Sequence, residues 1–321
     1  MTTTTLSQRL LRSPKGSPKR SAKQRPSWEE KPSVLGQGGK SLVVLIVLAV
    51  IGVPIYSVIL TSLSTQASIN KAGGMVMVPG ELTFEAYKQI FSNQLIVHSL
   101  FVSLTITALG TLLSMVVSVL AAYGLSRARS FGHRPILMFM IVTMFFGGGL
   151  VPTFLVVSSL GGYGAYWSQI LPGAVAVFNI LVLRSFFSST SPELIDAAKI
   201  DGAGDWRILW SIVLPTSKAV LAVITLFYAV GYWNNFFAAQ LYLPDNGMWP
   251  LSQVVNTYVL QGNSMPGSGV TNTGQYFGHQ QVAPLTIQMA VVTLTLLPIL
   301  IVYPFVQKHF TKGVLLGAVK G

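Results

Sequence analysis

The chain has no cysteine, and its 321 residues include only nine acidic side chains. The first absence excludes disulfides and thiolate metal sites, and the four histidines, His98, His133, His279 and His309, are too scattered to build a metal cluster. The second, with charged residues at only 9%, excludes an ordinary soluble domain, in which about a quarter of residues are charged. Catalytic signatures are missing as well: there is no His-Glu-x-x-His, no Gly-x-Ser-x-Gly and no pair of carboxylates inside an apolar block. Gly38-Gly39-Lys40-Ser41 is the nearest approach to a phosphate loop, but Val34 stands where its first glycine must be. The chain is therefore expected to be no enzyme, to hold no cofactor or metal, and to leave any nucleotide chemistry to another subunit.

Apolar surface is what the chain has in abundance. Hydrophobic residues make up 51% and the mean hydropathy is +0.60. A membrane-spanning helix needs about 20 mostly apolar residues to cross ~30 Å of hydrocarbon, and six blocks qualify. They are Leu42 to Leu60, Leu95 to Leu125, Ile136 to Ser159, Trp167 to Leu183, Ala219 to Phe237 and Pro284 to Val306. The third and fourth lie in one uncharged stretch from Pro135 to Leu183 that must fold back, with Gly161-Gly162-Tyr163-Gly164 as its turn. None of the six contains an acid, which argues against a proton-coupled or sodium-coupled carrier. The predicted class is an all-α polytopic membrane protein with six transmembrane helices.

The net charge of +12 is concentrated at one end, because nine of the 21 Lys and Arg fall within residues 1–40 among Ser, Thr, Pro and Gly. That segment is expected to be a disordered basic tail whose partner is anionic membrane lipid rather than nucleic acid. With the tail inside, its side also receives Arg127, Arg129, Arg134, Arg184, Lys199, Arg207, Lys218, Lys308, Lys312 and Lys320, against Lys71 and Lys88 on the other. The positive-inside rule then places both termini in the cytoplasm. A six-helix transmembrane domain is expected over 41–321, with 191–215 cytoplasmic and 241–283 extracytoplasmic. The outer segment should carry a short helix near Val254 to Leu260, followed by a flexible Gly-rich and Asn-rich loop.

Residues 191–215, SPELIDAAKIDGAGDWRILWSIVLP, hold four of the nine acids. They read as a helical hairpin: Ser191 as a cap, Pro192 and Glu193 in the first turn, Gly202 and Gly204 as breakers, Asp205 as a second cap, and Pro215 as the end. The spacing Asp196-Ala197-Ala198, Gly202, then Ile212, Leu214 and Pro215, with Asp201-Gly202-Ala203 inside it, resembles the signature cytoplasmic loop of permease subunits of binding-protein-dependent ABC importers. The ending Lys312-Gly313-Val314-Leu315-Leu316-Gly317-Ala318-Val319-Lys320-Gly321 is similar to that of carbohydrate-uptake permeases of the maltose-transporter type, in the branch for oligosaccharides and complex sugars. Asp196 stands where the family usually has Glu.

The resemblance implies an importer in the bacterial cytoplasmic (inner) membrane. This chain would pair there with a second, homologous but non-identical permease subunit, two ATPase subunits carrying ATP and Mg, and an extracytoplasmic solute-binding protein. It implies a sugar substrate, an oligosaccharide; an importer of peptide, amino acid or phosphate, or a membrane-embedded enzyme, are the competing readings. The implied coupling residues between spans 4 and 5 are Glu193, Asp196, Ala197, Ala198, Asp201, Gly202, Ala203, Ile212, Leu214 and Pro215. Leu194, Ile195 and Ile200 would add apolar contacts.

For the solute path the residues offer Tyr232, Trp233, Asn234 and Asn235 in the fifth block, with Gln288 and Gln169 as lesser candidates. Adjacent amides in hydrocarbon need water, solute or another helix; the same four residues also read as interfacial aromatics and helix glue. Gly147-Gly148-Gly149 before Pro152 reads either as a hinge or pathway element or as a site of close helix packing.

Overall fold

The computed structural model describes residues 34–127, 132–261 and 284–317. Among them all regular structure is helical, apart from one isolated antiparallel bridge between Ser64 and Leu82. The all-α class is thus what the chain adopts. Contacts divide the chain into two units, Met1–Val53 and Pro54–Gly321. Helix α1, Val34–Ser62, belongs to both and carries one charge, Lys40. It begins inside the segment that composition assigned to the tail, so residues 34–40 are helical. Extending a formed helix by a residue costs little, and the apolar run after Ser41 supplies the formed part. The rest of the expected tail, residues 1–33, lies outside the described residues.

The second unit opens with the end of α1 and two short helices, α2 (Gln66–Ala72) and α3 (Glu85–Ser92). Then come α4 (Gln94–Ser126), α5 (His133–Phe145), α6 (Leu150–Ser159), two 3-10 turns (Tyr166–Gln169 and Leu171–Gly173) and α7 (Val177–Ser188). The polar hairpin follows as α8 (Pro192–Ile200) and α9 (Asp205–Ile208), the latter continuing through a π turn (Leu209–Val213) into α10 (Leu214–Thr216). After it come α11 (Lys218–Trp233), α12 (Phe236–Tyr242), α13 (Leu251–Val255), which widens into a π turn (Asn256–Leu260), and α14 (Pro284–Gly317). Among the described residues three helices are long and apolar enough to cross a bilayer, and the number reaches six if each of three bent helix pairs is one span.

Helix α4 is the spine. Its hydroxyl residues Ser99, Ser103, Thr107, Thr111, Ser114 and Ser118 recur every three or four positions and so share one face. Small side chains on that face let other backbones come close. A Cβ added at Gly110 would lie 2.9 Å from three atoms of the Tyr232 ring. The stripe also bonds its neighbours: Ser103 accepts the Leu251 N–H at 2.7 Å, while Ser114 and Ser118 hydrogen-bond the Tyr232 and Tyr228 hydroxyls at 2.8 and 2.6 Å. Around α4 the main core gathers Val102, Ile106, Ala122 and Leu125 with Ile180, Leu183 and Phe187 of α7 and Ile224 of α11. A second cluster joins α3, Trp233, α13 and the first turns of α14.

Both interrupted blocks break where their sequences suggest. In the fourth, Pro172 precedes a 48° bend between residues 166–173 and 177–188. Such a break frees backbone groups, and two tyrosines of α11 take them up: Tyr232 donates to the Ile170 carbonyl at 3.0 Å, and Tyr228 accepts the Ala176 N–H at 3.3 Å. The third block turns by 115° between α5 and α6. Gly149 has φ +84° there, and nothing lies within 4 Å of a Cβ built on Gly147 or Gly148. Close packing within this chain is therefore not what those two glycines serve. The turn at 161–164 forms as expected, with Gly161 and Gly164 at positive φ and the Gly164 N–H donating to the Tyr242 carbonyl at 2.8 Å.

Candidate functional site

The hairpin is built as a capped helix turning back on itself. Asp201 ends α8, Gly202 takes φ +77°, and the Gly202 and Ala203 N–H groups donate to the carbonyls of Lys199 (3.0 Å) and Ala198 (2.9 Å). That pair of bonds is the Schellman motif, which requires the left-handed residue that glycine supplies without strain. The start of α8 differs from expectation. Ser191 occupies the capping position, but its hydroxyl donates to the Glu193 carboxylate and makes no bond to a backbone N–H. Gly204, not Asp205, is the cap of α9, which leaves the Asp205 carboxylate to pair elsewhere. Farther on, Pro215 cannot donate a backbone N–H, and the turn before it is the wider π turn.

One side of the hairpin is core and the other is open. Ile208, Leu209 and Val213 are buried, and Ile195, Ala198, Ala203, Ile212 and Leu214 pack against the same cluster. Glu193, Asp196, Ala197, Asp201, Gly202 and Pro215 are exposed. Exposed beside them are large apolar groups, Leu194, Ile200 at 86%, Trp206 at 65% and Trp210 at 66%. The ten signature residues thus divide into four that seat the hairpin and six that face outward. Trp206 and Trp210, one turn apart, were not singled out by the sequence, although two tryptophans in a polar loop are a legible signal.

The root of the hairpin is tied to the last turn of α4. Tyr123 donates to the Asp205 carbonyl at 2.9 Å, and Arg127 Nη2 lies 3.4 Å from Asp205 Oδ1 while also donating to the Tyr123 hydroxyl. The guanidinium sits 4.9 Å from the Tyr123 ring centroid. On the other strand of the root, Arg184 Nε donates to the Leu125 carbonyl at 2.9 Å and Ser188 to the Ser126 carbonyl at 3.5 Å. These carbonyls are among the orphan acceptors at the end of a helix. Beside them is a cleft of about 160 Å³ bordered by Tyr123, Arg127, Pro192 and Asp196.

The amide-aromatic run falls at the far end of α11. The helix stops at Trp233, so Asn234 and Asn235 follow the span and do not lie within it. Tyr232 is buried with its hydroxyl engaged by Ser114 and Ile170, and Trp233 Nε1 donates to the Thr295 carbonyl at 3.0 Å. Asn235 Oδ1 caps α12 by accepting the Ala238 N–H at 3.3 Å. Asn234 is exposed, its amide donating to the Val230 carbonyl at 2.9 Å. Gln288 is half-buried in α14, Gln169 is buried beside Ser168, and His98 is exposed. The short helix expected near Val254 forms as α13 with its π turn, and Leu251, Val254 and Tyr258 are buried there. Burial pushes the Tyr258 phenol up from its ordinary value. The Gly-rich loop expected after it lies outside the described residues.

Residues 114–316 match the family described as "Binding-protein-dependent transport system inner membrane component". The Bacillus subtilis polygalacturonan/rhamnogalacturonan transport system permease protein YtcP is 42% identical over 268 residues, covering 84% of this chain and 92% of the relative. Protein LplC of the same organism is 39% identical over 84% of this chain and 89% of its own length. Among solved structures, a chain of a bacterial ABC transporter involved in the import of the acidic polysaccharide alginate superposes with a TM-score of 0.77. It is 28% identical, covering 89% of this chain and 100% of that one.

Proposed function

The chain belongs to the family of binding-protein-dependent transport system inner membrane components, and on that premise we propose that it is a permease subunit of an ATP-driven importer of acidic oligosaccharides. Relatives named for polygalacturonan, rhamnogalacturonan and alginate support a saccharide cargo. The six apolar blocks bring no carboxylate toward the path, so a polyanion meets no fixed negative charge from them. A peptide, amino acid or phosphate cargo has no comparable support.

The observation that carries the coupling role is the two-sided hairpin. Its inner face is shared with the core of the bundle, and its outer face presents Ala197, Gly202, Leu194 and Ile200 within a rim of Glu193, Asp196 and Asp201. Small residues let a partner backbone come close, exposed aliphatics reward burial, and rim acids meet basic groups. We assign that partner as an ATPase subunit carrying ATP and Mg, present in two copies beside a second, homologous permease. The three continuous helices, the bent pair α5–α6, the bent segment from Tyr166 through α7, and α11 are taken as six spans, with both termini and the hairpin on the cytoplasmic side of the inner membrane, where the basic residues gather. A solute-binding protein would deliver the sugar to the opposite face. Of the residues expected along the path, Asn234 and Gln288 are assigned to the solute, and Tyr232, Trp233 and Asn235 hold the frame around them.

The test is reconstitution of the complete importer in proteoliposomes. ATP hydrolysis should rise when the binding protein is loaded with a uronate oligosaccharide and stay low with neutral maltodextrin. Equal stimulation by maltodextrin, amino acid or phosphate would overturn the cargo assignment.

A further inference from the structure

The apolar seat of the hairpin is non-directional: hydrophobic burial resists separation but sets no preferred axis of movement. Direction requires hydrogen bonds and charge pairs with fixed geometry. Among the described residues those lie at the end of α4, in its last turn and its cap. We propose that Tyr123 and Arg127 are positioning residues that clamp the second arm of the hairpin to α4, so that a push on the hairpin is delivered to that span as well as to the helices it is covalently joined to. The inference rests on the coupling role assigned above.

The geometry supports this in three steps. The chain runs from α7 into the first arm and from the second arm into α11, so neither arm is continuous with α4. Any force on α4 must cross noncovalent contacts. Tyr123 stands in the last turn of α4, and Arg127 is the extended residue that caps the helix. Both reach the same residue of the second arm: the Tyr123 hydroxyl donates to the Asp205 carbonyl at 2.9 Å, and Arg127 pairs with its carboxylate at 3.4 Å. Arg127 also donates to the Tyr123 hydroxyl, which closes a triangle of contacts and fixes the guanidinium. Asp205 is available for this because Gly204, and not the aspartate, caps α9.

The other arm is fastened to the same turn in a complementary way. Arg184 and Ser188, which lead into α8, donate to the Leu125 and Ser126 carbonyls. The end of α4 thus offers side chains to one arm and backbone acceptors to the other. An isolated exposed ion pair would contribute little. Here the Arg127 side chain is 25% exposed but the Asp205 side chain is 75% exposed, so the charge pair adds little by itself, and the geometry is fixed by the Tyr123 hydroxyl, which Arg127 and Asp205 share.

The experiment uses the reconstituted importer and reads sugar moved per ATP hydrolysed, a ratio that mere loss of folded complex does not change. Arg127→Ala and Tyr123→Phe should each lower it by about five-fold or more, in the range of coupling between linked sites. ATP hydrolysis should persist in both. The paired exchange Arg127→Asp with Asp205→Arg should recover most of the ratio. Tyr123→Phe removes a single oxygen and keeps the ring, so it remains informative where Arg127→Ala fails to assemble. An unchanged ratio in both single variants, alongside a ratio abolished by Gly202→Trp, would overturn the clamp and leave the coupling role standing. An unchanged ratio in Gly202→Trp as well would remove the coupling role itself. Failure of the exchange to recover activity would overturn the ion-pair part of the clamp.

Discussion

Gly202 offers a way to separate what the hairpin needs for its own fold from what a partner needs of it. Its φ of +77° is one that a residue with Cβ adopts at a cost of roughly 1–2 kcal/mol, while nothing lies within 4 Å of a Cβ built there. A Cβ there therefore strains the turn without striking the rest of the chain. Asparagine tolerates the left-handed region several-fold better than most residues but is larger than alanine. The two replacements consequently rank in opposite order on two scales. Gly202→Ala is strained and small, Gly202→Asn is relaxed and bulkier, and Gly202→Trp is strained and large. If the exposed turn must fit a groove on an ATPase subunit, uptake should follow size, with Ala best, Asn intermediate and Trp inactive. If the glycine serves only the Schellman turn, Asn should exceed Ala. Thermal unfolding of the purified chain supplies the second axis. All three variants should lose at most about 2 kcal/mol, because the core contacts of Ala198 and Ala203 survive. Full ATP-driven uptake by Gly202→Trp would refute the docking argument outright.

Other perturbations address the frame and the path. Gly110→Ala should destabilise the solubilised protein by about 1–3 kcal/mol, because the new methyl meets the Tyr232 ring at 2.9 Å; a thermal shift assay reads this, and an unchanged melting temperature would contradict the close approach of α4 and α11. Tyr232→Phe leaves the Ile170 carbonyl and Ser114 without their partner and should cost about 1 kcal/mol, measured the same way. Asn234→Ala should weaken sugar-stimulated ATP hydrolysis with the melting temperature held, since its amide is exposed and its loss opens no cavity; equal stimulation would remove it from the path.

The sequence made the long, continuous elements legible because their signal is composition. Hydropathy alone located α1, α4 and α14, and the glycines and prolines located both interruptions. The hairpin was legible too, down to Gly202, because a left-handed cap leaves a mark in residue type. Less legible was which residue partnered which. Ser191 looked like a cap and bonds Glu193 instead; Asp205 looked like a cap and reaches Arg127, which is 78 residues earlier in the chain. Capping preferences describe local competition for a backbone N–H, and a tertiary partner overrides them. Tyr232 and Trp233 posed the same difficulty, since an aromatic with a polar tip suits a solute and a neighbouring carbonyl equally well until the neighbour is known. The hydroxyl stripe of α4 was legible but went unread. Serines four apart in an apolar helix mark a close-packed face as clearly as leucines mark a core.

The seating of the hairpin also constrains where the protein can bend. Ile208, Leu209 and Val213 are each about 1% exposed, and lifting the second arm off α4 and α7 would return them to water. At roughly 1.5–3 kcal/mol for each side chain, that separation costs several kcal/mol, well above the ~1 kcal/mol upper end for an exposed ion pair. Burial therefore keeps the second arm against α4 and α7 under a push on the outer face, while the Tyr123 and Arg127 contacts set the axis along which α4 follows. Compliance has to come from segments with fewer contacts. The 115° turn at Gly147 to Gly149 meets that description, with open space around two of its glycines and exposed apolar side chains on both flanking helices. The 48° break before α7 does not, because Tyr228 and Tyr232 hold its freed backbone groups. Filling the first break should thus impair movement without unfolding. Gly148→Val, placed where a side chain meets nothing, should lower uptake while leaving the melting temperature of the chain in place, whereas loosening the second break through Tyr228→Phe should lower the melting temperature first. The opposite pattern would place the hinge at α7.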